Sequence, residues 1–217
     1  MIIASDFDGT LTTGEMWRGV SAYVSDHGRR WKMNMFLYPR LPIFLLTRVG
    51  LLDRRRVQQN FMHKLPMVTA GMSTSEVREM AHWVVENELW NNRRQAVLAE
   101  LEQYRQQGHR VIVISGAYQP ILEMFTARMG EGYEAIGTPL EFSDGKLSGR
   151  LAGALNVGEA KADRLRAAVG DQGIDIAYGD TMNDLPMLKL AKTPIVVKAD
   201  EELANLARAM KWRIIEK

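Results

Sequence analysis

The stretch Met1-Ile-Ile-Ala-Ser-Asp6-Phe-Asp8-Gly9-Thr-Leu-Thr12 decides how the rest of this chain is read. Ile2 to Ala4 is an apolar run without polar alternation, the pattern of a parallel strand buried on both faces. It stops at two carboxylates, Asp6 and Asp8, set two residues apart and followed by a glycine. In open α/β sheets ligands bind at the carboxyl ends of the strands, so both acids fall where a site would form. Carboxylates that close repel each other unless a cation lies between or beside them. Such a pair suits phosphoryl transfer, with one acid to attack, one to handle a proton, and a divalent ion to neutralise charge.

Outward from this stretch, Gly14 to about Leu89 reads as mostly helical, with no convincing strand. Trp17, Val20 and Val24 keep helical spacing, and Ser73-Thr74-Ser75-Glu76 is a helix start whose apolar stripe continues through Met80, Val84 and Leu89. We read residues 13–90 as a helical cap inserted over the carboxyl ends of the sheet. The α/β rhythm resumes near Asn91. Helices are expected at Arg94–Gln107, Pro120–Met129, Glu159–Val169, Leu185–Ala191 and Glu201–Met210. Strands are expected at Val111–Ile114, Ala135–Thr138, Ile174–Tyr178, Ile195–Val197 and Trp212–Ile215. Asp144-Gly145 marks a small hairpin between Glu141 and Leu151. The alternation predicts a doubly wound, Rossmann-like parallel sheet formed by residues 1–12 and 91–217, with the helical cap and the hairpin added.

Three later segments carry chemistry. Val111-Ile-Val-Ile-Ser115-Gly116 ends a buried strand on a hydroxyl and a glycine, able to donate Oγ–H and backbone N–H to phosphate oxygens. Lys161 opens a helix in Gly158-Glu-Ala-Lys-Ala-Asp163 and could offset phosphoryl charge. Gly179-Asp180-Thr-Met-Asn183-Asp184 follows the strand Ile174–Tyr178 and supplies hard oxygen ligands suited to Mg²⁺.

Asp6-Phe-Asp8-Gly-Thr resembles the first motif of the haloacid dehalogenase superfamily, and the three later segments resemble its remaining motifs in the same order. The resemblance implies that Asp6 is the nucleophile and forms an aspartyl-phosphate. Asp8 would protonate the leaving oxygen and later activate water. Ser115 and Gly116 would hold the phosphoryl group, with Lys161 reaching the nucleophile. Mg²⁺ would lie on the Asp6 carboxylate, the Asp8 backbone carbonyl and Asp180; Asn183 would bond the phosphate, and Asp184 would orient the lysine or a metal-bound water. A proton donor at Asp8 favours phosphate esters over halide release. The position of the cap, the hairpin Asp144-Gly-Lys-Leu-Ser-Gly149, and Glu15 nine residues after Asp6 are similar to the branch containing phosphoserine phosphatases. In that branch, a Glu at this spacing contacts the substrate's amino group.

The expected function is therefore a Mg²⁺-dependent phosphomonoester hydrolase acting on a small phosphorylated substrate. The alternatives are a phosphatase for an apolar phosphorylated substrate, a phosphotransferase or phosphomutase on the same motifs, and a non-catalytic binding module. Arg54-Arg55-Arg56 could meet a substrate carboxylate but reads first as a solvated helix face. Met33, Phe36, Leu37, Leu41, Phe44 and Leu45 read first as the cap's own core. A substrate pocket, a dimer contact and a peripheral membrane contact remain alternatives, the last supported by Arg29, Arg30, Lys32 and Arg40 nearby. His27, His63, His82 and His109 lack metal-ligand spacing.

Composition agrees with this reading. The 217 residues, 46% apolar and 25% charged, suit one good-sized domain or a core with an insert. A net charge of +2 gives no argument for nucleic acid. With no cysteine, disulfides, thiolate catalysis and zinc–thiolate sites are excluded, which is compatible with a reducing cytoplasm. Early acids interrupt any secretory signal, and the charge-free run Leu41–Thr47 falls far short of the roughly 20 residues that span a bilayer. A cytoplasmic location is expected.

Overall fold

The computed structural model describes residues 1–216. After β1 (Ile2–Ser5) come five helices: α1 (Met16–Val24), α2 (Arg30–Leu37), α3 (Leu41–Arg48), α4 (Arg54–Lys64) and α5 (Thr74–Val84). Then follow α6 (Gln95–Gln106), β2 (Arg110–Tyr118), α7 (Gln119–Met129), β3 (Tyr133–Thr138), β4 (Leu140–Ser143) and β5 (Lys146–Leu151). The chain continues through α8 (Glu159–Val169), β6 (Ile174–Gly179), the short α9 (Leu185–Leu188), β7 (Ala191–Val197), α10 (Glu201–Ala209) and β8 (Arg213–Ile215).

Six strands form a parallel sheet in the order β3-β2-β1-β6-β7-β8. The order reverses between β1 and β6, so the crevice at their carboxyl ends is the switch point of a doubly wound, Rossmann-like fold. Strand alternation splits the core into two layers. Ile3, Val111 and Val113 face α6 and α7, while Ile2, Ala4, Ile112 and Ile114 face α8, α9 and α10. The helices between β1 and β2 extend the first layer, since Val20, Phe61, Val68, Met80 and Val84 belong to the same buried cluster. β4 and β5 form a separate antiparallel hairpin. It turns at Asp144 and Gly145, both with positive φ (50° and 72°), as a type I′ turn requires.

Local chemistry accounts for most boundaries. Ser73 caps α5 in a reciprocal capping box with Glu76. Gly108, at φ 77°, ends the turn after α6 where a left-handed residue is needed. Two expectations fail. The helix expected through Ala191 stops at Leu188, and Ala191 already begins β7. Pro194 lies within that strand, yet β8 covers only Ile195–Val197, so proline sits on the sheet's open edge. The apolar stretch after Met33 is only partly core. Met33 and Phe36 are buried, but Leu41, Phe44 and Leu45 are exposed. α3 is apolar on nearly every side and rests on α4 with Phe44 against Phe61, a packing that leaves much of the helix uncovered.

Candidate active site

β1 sets the first two acids. Asp6 N–H donates to the Tyr178 carbonyl at 2.9 Å, carrying the β1–β6 ladder one residue past the strand. Phe7 then turns inward and meets Phe125 edge to face, with ring centroids 4.7 Å apart. Because successive side chains of an extended chain alternate, burying Phe7 turns Asp6 and Asp8 the other way, into the cleft. Truncating such a buried ring costs about 3–5 kcal/mol, so the Phe7 anchor strongly opposes rotation of this segment. Gly9 O accepts from the Arg94 guanidinium at 2.8 Å, tying the loop to the start of α6.

Lys161 sits at the centre of the cluster. Its Nζ donates to Asp6 Oδ1 and to Asp184 Oδ1, each at 2.6 Å, and all three side chains are at most 5% exposed. Asp184 Oδ2 accepts from the backbone N–H groups of Asp180 and Thr181 and from the Thr181 hydroxyl. Both Asp184 oxygens are thus engaged by donors. Asp6 Oδ2 and Asp180 Oδ1, by contrast, are buried with no hydrogen-bond partner. Carboxylate oxygens of Asp6, Asp180 and Asp184 lie within 4.8 Å of one another. Two unpartnered buried carboxylate oxygens in an all-oxygen cluster fit a hard divalent cation such as Mg²⁺.

Electrostatics agree. Burial, reinforced by Asp184 and only partly relieved by Lys161, raises Asp6 above the usual carboxylate range. Burial together with Asp6 and Asp184 raises Asp180 as well. Asp8 is pushed to about 6 by burial, offset in part by the Ser115 hydroxyl that donates to its Oδ2 at 2.9 Å. Burial opposes the charge on Lys161, but Asp184 and Asp6 outweigh it and hold the ammonium above its ordinary value.

The cleft has a volume of about 400 Å³. Asp6, Asp8, Glu15, Ser115, Gly116, Lys161, Asp180, Asn183 and Asp184 all line it, so every site residue expected from sequence comes to one place. Their spacing differs. Glu15 stands at the exposed rim with its carboxylate paired to Arg18 at 2.5 Å. Close packing explains the glycines: a Cβ on Gly9 would lie 1.8 Å from Asp180 Oδ2, and one on Gly179 would lie 2.6 Å from Asp184 Cβ.

Several lining residues were not legible beforehand. Gln58, Gln59 and Met62 of α4 line the cleft with Trp17, beside Arg55, which the sequence offers as a candidate for a substrate carboxylate. The arginine triplet is therefore not wholly a solvated face, since Arg55 reaches the cleft and pairs with Glu202 at 2.5 Å. Buried Asn156 donates to the carbonyls of Ser115 and Ile136, bracing the end of β2. Nothing local in the sequence marks it. The spacing 55, 58, 59, 62 is helical, but nothing along the sequence says which side α4 presents. The histidines lie outside this acidic cluster; His27 stacks on Tyr23 with ring centroids 3.8 Å apart.

A parallel sheet with acids at the ends of its two central strands and a buried lysine between them defines an α/β protein with a strand-end carboxylate site. A family model for haloacid dehalogenase-like hydrolases matches residues 3–189, and the chain belongs to that family. It is 29% identical over 152 residues to a phosphoserine phosphatase of Mycobacterium tuberculosis, covering 66% of this chain and 48% of that protein. It is 26% identical over 217 residues to a putative hydrolase of Mycobacterium leprae, covering 96% and 70%. The chain thus spans about half the length of the first of these relatives. In fold it is similar to a Bordetella pertussis protein of unknown function, with a TM-score of 0.82 at 17% identity over 99% and 97% of the two chains. It is also similar to an apo phosphoserine phosphatase, with a TM-score of 0.65 at 20% identity over 100% and 93%. Among the described residues, no helix is long and apolar enough to cross a membrane.

Proposed function

We propose that the protein is a Mg²⁺-dependent phosphomonoester hydrolase working through an aspartyl-phosphate on Asp6, with a helical cap formed by residues 13–90. The observation that carries this reading is the partnering of the acids. Lys161 holds Asp6 through Oδ1 and leaves Oδ2 without a partner at the floor of the cleft.

The Asp6 carboxylate attacks phosphorus and the ester P–O bond breaks. The departing oxygen takes its proton from Asp8, whose raised pKa keeps a protonated fraction near neutrality. Asp8, now a carboxylate, removes a proton from water, and the resulting hydroxide displaces the Asp6 oxygen from phosphorus. Ser115 fixes the Asp8 rotamer through its hydroxyl. Lys161 balances negative charge beside Asp6, and Asp184 keeps the lysine in place. Mg²⁺ held by Asp6 and Asp180 would supply positive charge to the phosphoryl oxygens and favour ionised Asp6.

The substrate is proposed to be a small phosphate monoester of the phosphoserine type, supported by the relatives and by Glu15 and Arg55 as opposite charges at the cleft. A second reading, an apolar phosphorylated substrate, is supported by Met16, Trp17, Met62, Leu155 and Val157 in the lining. Location in a reducing cytoplasm is part of the proposal and fits the absence of cysteine. Phosphate release across a panel of esters, including phosphoserine and lysophospholipids, tests both readings. Hydrolysis is expected with Mg²⁺, and consumption of ester without free phosphate would instead indicate transfer to another acceptor.

A further inference from the structure

Beyond this activity, we propose that α2 and α3 form a docking face for an anionic lipid surface. Trp31, Met35 and Tyr38 stand outward at helical spacing, at 58%, 68% and 64% exposure. Leu45, Val49 and Leu51 follow at 65%, 69% and 71%. Soluble proteins seldom leave so many large apolar side chains in water within one short stretch of chain unless the surface has a partner.

Charge identifies the partner. Between Arg29 and Lys64 the sequence has nine Lys and Arg against one acid, Asp53, in a chain whose net charge is only +2. Arg40 and Arg48 bracket the apolar run of α3, with Arg54 and Arg56 just beyond. A second copy docked face to face would oppose two cationic surfaces, which is unfavourable. An anionic bilayer satisfies both features at once, taking the apolar side chains at the headgroup boundary and pairing the arginines with phosphate groups. Trp31 and Tyr38 have the amphipathic rings that favour this boundary. The face lies upon the membrane, since α3 has only eight residues.

The same helix that carries α3 also walls the cleft. Phe61 of α4 receives Phe44, while Arg55, Gln58, Gln59 and Met62 of α4 line the cleft. Docking would therefore hold the cleft close to the bilayer.

Flotation of the full chain with phosphatidylcholine vesicles, with and without phosphatidylglycerol, tests this without turnover. The wild type should float with the anionic vesicles, lose binding as salt rises, and show a blue shift of tryptophan emission. Leu45→Glu/Val49→Glu and, separately, Arg48→Glu/Arg54→Glu should each lower partitioning roughly tenfold or more. Melting and hydrolysis of a soluble ester should be unchanged in both. The proposal is overturned if the wild type stays unbound with both vesicle types, or if the double variants float as it does. It is also overturned if light scattering finds a dimer that Leu45→Glu/Val49→Glu dissociates. Flotation without any ester hydrolysis would reject the proposed activity and leave the docking face standing.

Discussion

Replacing Lys161 with Met probes the cluster because it keeps most of the unbranched apolar stem and removes the ammonium, with its charge and its two hydrogen bonds. Lys161 is 3% exposed and makes two 2.6 Å bonds to carboxylates that are themselves nearly inaccessible. Removing one partner of such a buried pair costs about 3–5 kcal/mol, since the remaining charges stay in a poor medium. For a domain of this size each kcal/mol moves the melting temperature by about 2–4 °C, so a fall of about 6–20 °C is expected in chelator. The loss should be smaller at pH 5 than at pH 8. Asp6 is already raised by burial, and without the lysine it rises further, so at low pH protonation relieves the stranded charge. Adding Asp184→Asn removes one of the two stranded carboxylates and should restore part of the stability, a non-additivity of about 1 kcal/mol or more. Differential scanning calorimetry of the wild type, both single variants and the double variant measures it. A Lys161→Met protein melting within a degree or two of wild type at both pH values would show that the lysine does not hold the acids together.

Asp180→Asn should leave the fold intact and raise the Mg²⁺ concentration needed for half-maximal activity at least tenfold, read from metal titrations of phosphate release. Gly9→Ala sets a Cβ 1.8 Å from Asp180 Oδ2 at a φ of 88°. It should destabilise by about 1–2 kcal/mol from backbone strain alone and cost activity through displacement of Asp180, measured by urea unfolding and turnover. In chelator, Asp6, Asp8 and Asp180 all have folded pKa values above the unfolded 3.8, so the folded state binds the extra protons. Their contribution is full below 3.8 and is lost as pH rises through the folded values, the Asp8 part near 6. Mg²⁺ should therefore raise the melting temperature more at pH 8 than at pH 5, and an equal or larger gain at pH 5 would refute the assignment.

The sheet and its acids were legible because their signals are local. A β-branched run ending in Ser115, and acids two residues after Ala4 and Tyr178, mark strand ends without knowledge of the tertiary packing. The lysine was legible through order alone, as Lys161 has no local signature. The α4 contribution was hidden because a polar helix with period-matched Arg55, Gln58, Gln59 and Met62 reads the same facing water or a cleft. α3 was misjudged for the opposite reason: apolar residues on all sides imply burial only if neighbours surround the helix, and here Leu41, Ile43, Phe44, Leu45 and Leu46 stay exposed although α3 rests on α4. The early end of α9 goes with β7 pairing to β6 from Ala191 onward, and the edge position of Pro194 with β8 pairing only the last part of β7; both arise across the sheet rather than along it.

Phosphorylation of Asp6 during turnover is read by rapid acid quenching followed by peptide mass spectrometry. An acid-stable, base-labile phosphoryl group is expected on the peptide containing Asp6 and is expected to be absent from Asp6→Asn. A phosphoryl group on another residue, or unchanged turnover by Asp6→Asn with Mg²⁺ in excess, would contradict it.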